Sequence, residues 1–514
     1  MSSHRLPGTP VSKRELYLVF AGLMLALTLA SLDQNIVSTA LPRIVSDLGG
    51  LAHLSWVVTA FMVTSTISTP LYGKLSDMYG RKPLFFTAII IFLIGSILCG
   101  LAQTMFQLIA FRAVQGLGAG GLITLAQTTV GDLIAPRERG RYQGLFGAVF
   151  AACSVAGPLL GGIITDTLSW RWIFYVNLPV GAAALALIAI GLKKHVRSVR
   201  HRIDYLGAGL LTGATVSLLL LLSWGGTAYP WFSTVIVTLA GGATFFSTLL
   251  IRQERRAAEP IFPPSLFHNP VFVVAVSVIG LNAMALFGSL VFLPLFFQLV
   301  LGASPSRAGL MMAPMMGGVI VASVTGGRLI ARSGRYKIFP IIGLALGTTS
   351  FLTLAYAAWR ESGVPLIEMA LIGLGGGLGL VMPNLTVAIQ NSVDRKHLGA
   401  ATSVSAFIRS LGGALGVAVA GAVVAARLRH LLPESWTTHS DTQPNLLELG
   451  VGQIAQIPPA EHLLLMHAYR HAIATTFFTG AGIAALAFCI VLFLPERPLR
   501  SAPKAEEEIE KAAY

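Results

Sequence analysis

Fourteen times along these 514 residues, a stretch of almost uncharged apolar sequence runs long enough to cross about 30 Å of hydrocarbon as a helix. The stretches lie near 16–40, 52–72, 84–102, 106–131, 142–165, 172–192, 205–223, 231–251, 271–299, 308–330, 338–358, 365–390, 400–425 and 472–494. The one from Trp231 to Ile251 contains no charge at all. In lipid every backbone N–H and C=O must be satisfied inside its own segment, so each such stretch reads as a helix. Charged residues make up only 11% of the chain, against about 25% in soluble proteins. A soluble protein of this length would lack the polar side chains to cover its surface. The chain is therefore expected to be an all-α integral membrane protein.

Glycine is abundant, 54 of 514 residues, as expected where helix backbones approach closely and packing holds the bundle together. Cys99, Cys153 and Cys489 all lie in apolar stretches and read as small buried hydrophobes. The formal net charge of +14 would direct a soluble chain toward nucleic acid. In a membrane chain the position of each cation matters more than the total, and no nucleic-acid partner is expected. Residues 1–15 are polar and the first apolar run is too long for a cleavable signal, so the first helix is expected to direct insertion.

With the N-terminus placed inside and loops assigned alternately, the inside segments carry 27 of the 36 lysines and arginines and the outside loops carry 7. Arg112 and Arg409 fall within helices. This asymmetry predicts that both termini are cytoplasmic. An internal repeat adds organisation. Gly73-Lys-Leu-Ser-Asp77-Met-Tyr-Gly80-Arg81 follows the second stretch, and Gly327-Arg-Leu-Ile-Ala331-Arg-Ser-Gly334-Arg335 follows the tenth. Gly116-Leu-Gly-Ala-Gly and Gly373-Leu-Gly-Gly-Gly form a second related pair. The reading is a cytoplasmic segment 1–15, a six-helix unit 16–192, an inserted helix pair within 193–270, a second six-helix unit 271–494 and a cytoplasmic tail 495–514. The second unit carries a large external loop, 426–471, with a short helix expected from Pro459. Repeats of this kind build transporters with a midplane site between halves.

The Gly73–Arg81 segment continues into Lys82 and matches the loop signature of the major facilitator superfamily at every diagnostic position. Charge bias alone explains Lys74, Arg81 and Lys82 but not Asp77 or the glycines Gly73 and Gly80. Asp77 can accept from backbone N–H groups or pair with an arginine, and Asp132 is a third candidate member of this latch. The second copy has Ala331 in place of the acid, so any latch there must differ.

Asp33, in Leu32-Asp33-Gln-Asn35 near the end of the first helix, is expected about 10 Å from the outer end. A carboxylate at that depth is by default functional. Arg112, which leads into Gln115 and Gly116, is expected about 9 Å from the outer end of the fourth helix. An ion pair is the least expensive way to keep both groups in the membrane, the alternative being an arginine that snorkels outward. Arg409, in the thirteenth stretch, is expected near the midplane, where it either contacts cargo or bonds carbonyls. Gly144, Gly157, Pro158, Gly161 and Gly162 let the fifth helix kink and bend against a neighbour; the run resembles the antiporter motif of exporting facilitators, except that Cys153 stands where that motif has glycine. The external pair His467 and His471 lacks any HExxH pattern, and no metal site is expected.

Together these motifs resemble the fourteen-helix drug–proton antiporters of the EmrB/QacA type, over almost the whole chain. The resemblance implies two pseudo-symmetric six-helix bundles around a central cavity, with two peripheral inserted helices. It further implies export of small amphiphilic compounds across the cytoplasmic membrane, exchanged for protons. A dedicated cargo such as an anionic metabolite, siderophore or lipid precursor is the alternative. Asp33 is the expected proton-coupling carboxylate, with Arg112, Gln115 and Arg409 around the cavity. No GxxxxGK[ST] sequence or clustered nucleophile and base occurs, so neither ATP-driven transport nor enzymatic chemistry is expected. No cofactor is expected, the proton gradient supplying the drive. In a double-membrane bacterium a periplasmic adaptor and an outer-membrane channel would be implied partners. Replacing Asp33 by Asn is expected to leave insertion and folding intact.

Overall fold

The computed structural model describes residues 13–49, 53–192, 203–226, 228–432 and 459–499. Fourteen long helical units run through them. The first five are α1 (Lys13–Leu48), α2 (Leu54–Tyr79), α3 (Arg81–Leu101), α4 (Met105–Leu133) and α5 (Pro136–Thr167). The sixth, α6, is broken into Trp172–Tyr175 and Asn177–Gly191. The inserted pair is α7 (Tyr205–Trp224) and α8 (Thr234–Glu254). Next comes α9, which runs Pro270–Leu290 and ends through Leu293–Leu295 and a π-helical turn, Phe296–Val300. A short Pro305–Leu310 piece leads into the main part of α10, Ala313–Ser333. The last four are α11 (Ile338–Trp359), α12 (Val364–Ser392), α13 (Leu398–Leu431) and α14 (Pro459–Val491). No strand is found among the described residues.

Thirteen of these units are long and apolar enough to cross a membrane. The other is α2, 26 residues long and rich in threonine and serine. Its hydroxyls turn back on their own helix, Thr64 Oγ1 donating to Ala60 O at 2.9 Å and Thr69 Oγ1 to Ser65 O at 2.7 Å. Such bonds satisfy hydroxyls without water. The outer surface carries large apolar side chains, among them Ile94, Leu159, Ile190, Phe245 and Met369. In water this would be an aggregation-prone surface; in lipid it is the expected one.

The two halves repeat each other in their packing. In the first, α2 and α3 lie on α4, α1 on α5 and α6, and α3 on α6; in the second, α10 and α11 lie on α12, α9 on α13 and α14, and α11 on α14. The halves meet chiefly through α2 with α13 and α5 with α10. Each half has its own interior, with Leu23, Phe85 and Phe92 in one and Phe297, Leu371 and Phe477 in the other. The inserted pair sits outside, against α2 and α13, where Leu211 and Leu250 pack with Leu71 and Phe407. α8 buries only Ile236, Leu250 and Glu254.

Three expectations about element ends are corrected. The first helix does not close at Pro42 but continues to Leu48, with Pro42 inside it. Ile44 is buried and Leu48 packs beside Trp170 and Ile173, contacts that outweigh the one backbone bond a proline removes. Asp33 is therefore fifteen residues from that helix end, about 22 Å at 1.5 Å per residue. The segment from Pro459 is no separate short helix; it is the first part of the 33-residue α14. The loop expected at 426–471 shrinks from both sides, because α13 reaches Leu431. What remains of it, 433–458, lies outside the described residues, as do residues 1–12 of the N-terminal segment and 500–514 of the tail.

Candidate functional site

Asp33 is wholly buried within the first half, and its carboxylate is the centre of a knot of side chains from five helices. Arg112 Nη1 on α4 donates to Oδ2 at 2.6 Å. Oδ1 accepts from Gln115 Nε2 at 2.8 Å and from Asn177 Nδ2 on α6 at 2.9 Å. Ser96 Oγ on α3 accepts from the same two amides, at 2.7 and 3.1 Å. Arg112 also donates to Gln115 Oε1 at 2.7 Å and to the Val57 carbonyl of α2 at 3.4 Å. Its guanidinium lies 4.0 Å from the Phe61 ring centre. A buried ion pair survives desolvation when its remaining donors and acceptors find partners; these neighbours satisfy both oxygens of Asp33 and three of the five N–H donors of Arg112. Asn177, Ser96, Phe61 and Val57 were not among the site residues read from sequence. Asn177 lies beside the aromatic residues that open the sixth helix, where no charge marks it.

At one end of the bundle Asp77 joins the halves. Its Oδ1 accepts from Arg81 Nη2 at 2.7 Å and from the Gly399 N–H at 2.9 Å; Oδ2 accepts from the Ala400 N–H at 2.8 Å. Gly399 and Ala400 lie in the first turn of α13, whose unpaired N–H groups and dipole attract a carboxylate. Arg81 Nε donates to Asp132 Oδ2 at 2.7 Å, and Arg395 of the second half reaches Asp132 Oδ1 at 3.7 Å. Gly73 lies at the same seam: a Cβ there would overlap Ser403 and come within 2.6 Å of the Gly399 carbonyl. Gly80 links α2 to α3 at φ 90°, and its repeat partner Gly334 ends α10 at φ 69°. Both positions need the left-handed region that glycine enters without penalty.

The second repeat copy carries a contact of opposite polarity. Arg137 on α5 donates from Nε to the Ala331 carbonyl and from Nη2 to the Arg332 carbonyl, each at 3.0 Å. These are C-terminal carbonyls of α10, which attract a cation. Where the first copy sets a carboxylate on a helix N-terminus, the second sets a guanidinium on a helix C-terminus. Between the two, buried Arg139 donates to the Ile134 carbonyl of its own half at 2.9 Å and to the Gln390 carbonyl of the other at 3.2 Å. Gln390 Nε2 returns a bond to the Gln127 carbonyl at 3.1 Å.

The glycines of α5 divide between neighbours. Gly144 faces the Ser323 backbone of α10 across the seam, while Gly157 and Gly161 face Asn35 and Ile36 of α1. Gly162 faces open space and Pro158 is exposed within the helix. The glycines of α4 likewise serve close approach, Gly116 to Phe61 and Gly118 to Ala88 and Phe92.

Arg409 stands apart from the Asp33 knot. It is half-buried on α13, on the interior face that also carries Thr402, where Gln390 Nε2 donates to Thr402 Oγ1 at 3.4 Å. Among the described residues it makes no hydrogen bond or ion pair. His467 and His471 sit with their Nε2 atoms 3.3 Å apart, beside the ring of Trp359.

The sequence model of the Major Facilitator Superfamily matches residues 23–203 and 205–417. The multidrug transporter protein MdtP of Bacillus subtilis is 37% identical over 97% of this chain and 96% of its own length. Multidrug resistance protein 3 of the same organism is 39% identical over 79% of each chain. The efflux pump FUS6 of Gibberella moniliformis is 30% identical over 96% of this chain and 89% of its own. Two solved structures share the fold: the human organic anion transporter MFSD10, with a TM-score of 0.60 and 17% identity, covers 94% of this chain and 100% of its own. The proton:xylose symporter XylE, with a TM-score of 0.60 and 15% identity, covers 95% and 98%. With two repeated six-helix halves and a family match over most of its length, this multi-pass membrane protein is a transporter belonging to the Major Facilitator Superfamily.

Proposed function

We propose that this transporter exports small amphiphilic compounds across the cytoplasmic membrane, exchanging them for protons by alternating access. The observation that carries the reading is the pairing of two features: a carboxylate–guanidinium pair buried in one half, and a polar seam at one end of the bundle, where the side-chain bonds between the halves lie among the described residues. The names of the relatives at 30–39% identity supply the efflux part. The charge bias of the loops supports a reading in which the seam and both termini are cytoplasmic. In that orientation the state described here is closed toward the cytoplasm.

Asp33 is the proton-coupling group in this reading. As a carboxylate it is held by Arg112; once protonated it loses the charge attraction but can still hydrogen-bond to its neighbours. A rocking motion that changes its access to water or its distance from Arg112 links proton uptake to the change of state. No bound cofactor takes part. In a double-membrane bacterium an adaptor and an outer-membrane channel complete the route.

The test is expression in an efflux-deficient host, with dye accumulation and drug resistance measured with and without a protonophore. Lower accumulation that the protonophore abolishes is the expected result. Export that continues unchanged in the presence of the protonophore would falsify proton coupling.

A further inference from the structure

Among the described residues the interior holds three charges far from any loop, and two of them cancel. Asp33 gives both carboxylate oxygens to Arg112, Gln115 and Asn177 and is 0% exposed. A cationic solute could reach it only by displacing those donors. The third charge, Arg409, lies eleven residues into α13, about 16 Å at 1.5 Å per residue. It is partly accessible and without a partner among the described residues. The repeat does not balance it: α5, which packs on α1 as α13 packs on α9, has no charged residue between Arg141 and Asp166. The nearest described acid on α12, Glu368, is in the second turn of that helix, far from its middle. A lone guanidinium in a low-dielectric interior is expensive unless something supplies the missing charge.

Resting on the efflux reading, we infer that the cargo itself carries that charge: Arg409 receives a carboxylate, sulfonate or phosphate group of an amphiphilic anion. The guanidinium fork suits such groups, offering two parallel N–H donors to two oxygens. Arg112 is less suited to this, because Asp33 already supplies its counter-charge and Asp33, Gln115 and Val57 take three of its five N–H donors.

The experiment uses the purified full chain in neutral-lipid proteoliposomes under a pH gradient. A fluorescein-tagged bile acid serves as the anionic amphiphile and ethidium as the permanent cation. The wild type is expected to move the anion at least tenfold faster than ethidium. Arg409→Gln is expected to raise KM for the anion at least tenfold, while Arg409→Lys, which keeps the charge, stays within about threefold of wild type. If Arg409→Gln does not reach the membrane, Arg409→Met supplies the same comparison. A wild type that prefers ethidium, or a neutral variant that matches wild type on the anion, overturns the charge assignment and leaves the efflux reading standing. A wild type that moves neither probe overturns the efflux reading and this inference with it.

Discussion

Arg112 Nη1 lies 2.6 Å from Asp33 Oδ2, and neither side chain is more than 2% exposed. The pair spans 79 positions in sequence and joins α1 to α4 in the interior of the first half. Its surroundings change what the loss of one partner must do. Removing the acid does not simply take a charge out of lipid, because it leaves Arg112 buried with no counter-charge.

Asp33→Asn is therefore expected to destabilise the protein by about 3–5 kcal/mol, as is usual when one member of a buried pair is removed. Arg112→Gln should do the same. The double variant Asp33→Asn with Arg112→Gln should recover most of the loss, since neither charge then remains. Thermal unfolding in detergent checks this. Single variants as stable as wild type would show that the pair is not what holds the five helices together.

Asp77→Asn keeps the size of the side chain but loses the charge set against the first turn of α13. An amide has one acceptor oxygen and cannot serve Gly399, Ala400 and Arg81 together as the carboxylate does. Charge-assisted bonds of this sort are worth about 1.5–3 kcal/mol each, so the closed seam should be populated at least tenfold less. Thiol labelling of a Ser403→Cys background from the Asp77 face should rise accordingly, while cargo affinity in the opposite state stays unchanged.

Arg137→Ala should act on the same equilibrium from the pseudo-equivalent site. Arg137 is exposed, so the single change is worth only about 0.5–1 kcal/mol. Both contacts close the same face, so the free-energy effects of Asp77→Asn and Arg137→Ala should add in the same labelling assay. A double variant indistinguishable from Asp77→Asn alone would mean that Arg137 does not bear on closure.

These contacts also show which parts of the site were legible in sequence. Asp33, Arg112 and Asp77 could be singled out because a charge in an apolar segment, or a carboxylate in a basic loop, contradicts its surroundings. Asn177 contradicts nothing: it sits between aromatic residues and Pro179, and its partner is 144 positions away. Gly399 and Ala400 act through backbone N–H groups, which carry no side-chain signal. In the second copy Ala331 stands in place of the acid, so any latch there has to be weaker or different. Its working side chain is Arg137, on the other half, with Ala331 contributing only a carbonyl. The halves were legible from the repeated glycine motifs, whereas the end of α1 was not. Pro42 reads locally as a stop, and the contacts that carry the helix past it belong to distant segments.

The last prediction concerns voltage. Exchange of one inward proton for one outward cation moves no net charge, so its rate should not respond to membrane potential. Exchange of one inward proton for one outward monovalent anion moves two positive equivalents inward. An interior-negative potential then assists each cycle by about 2.3 kcal/mol per charge per 100 mV. With Arg409 as the unpaired interior charge, the anionic case is expected. Proteoliposomes loaded with the anionic amphiphile, with the seam facing the lumen, should export it faster when valinomycin and outward potassium diffusion make the lumen negative. At a fixed pH gradient the rate should rise severalfold between zero and 100 mV. The Arg409→Lys protein should keep this response, because the charge moved belongs to cargo and proton and not to the side chain. A rate for the anion that is flat with voltage would mean that the exchange is electroneutral, and would overturn the exchange of one proton for one anion.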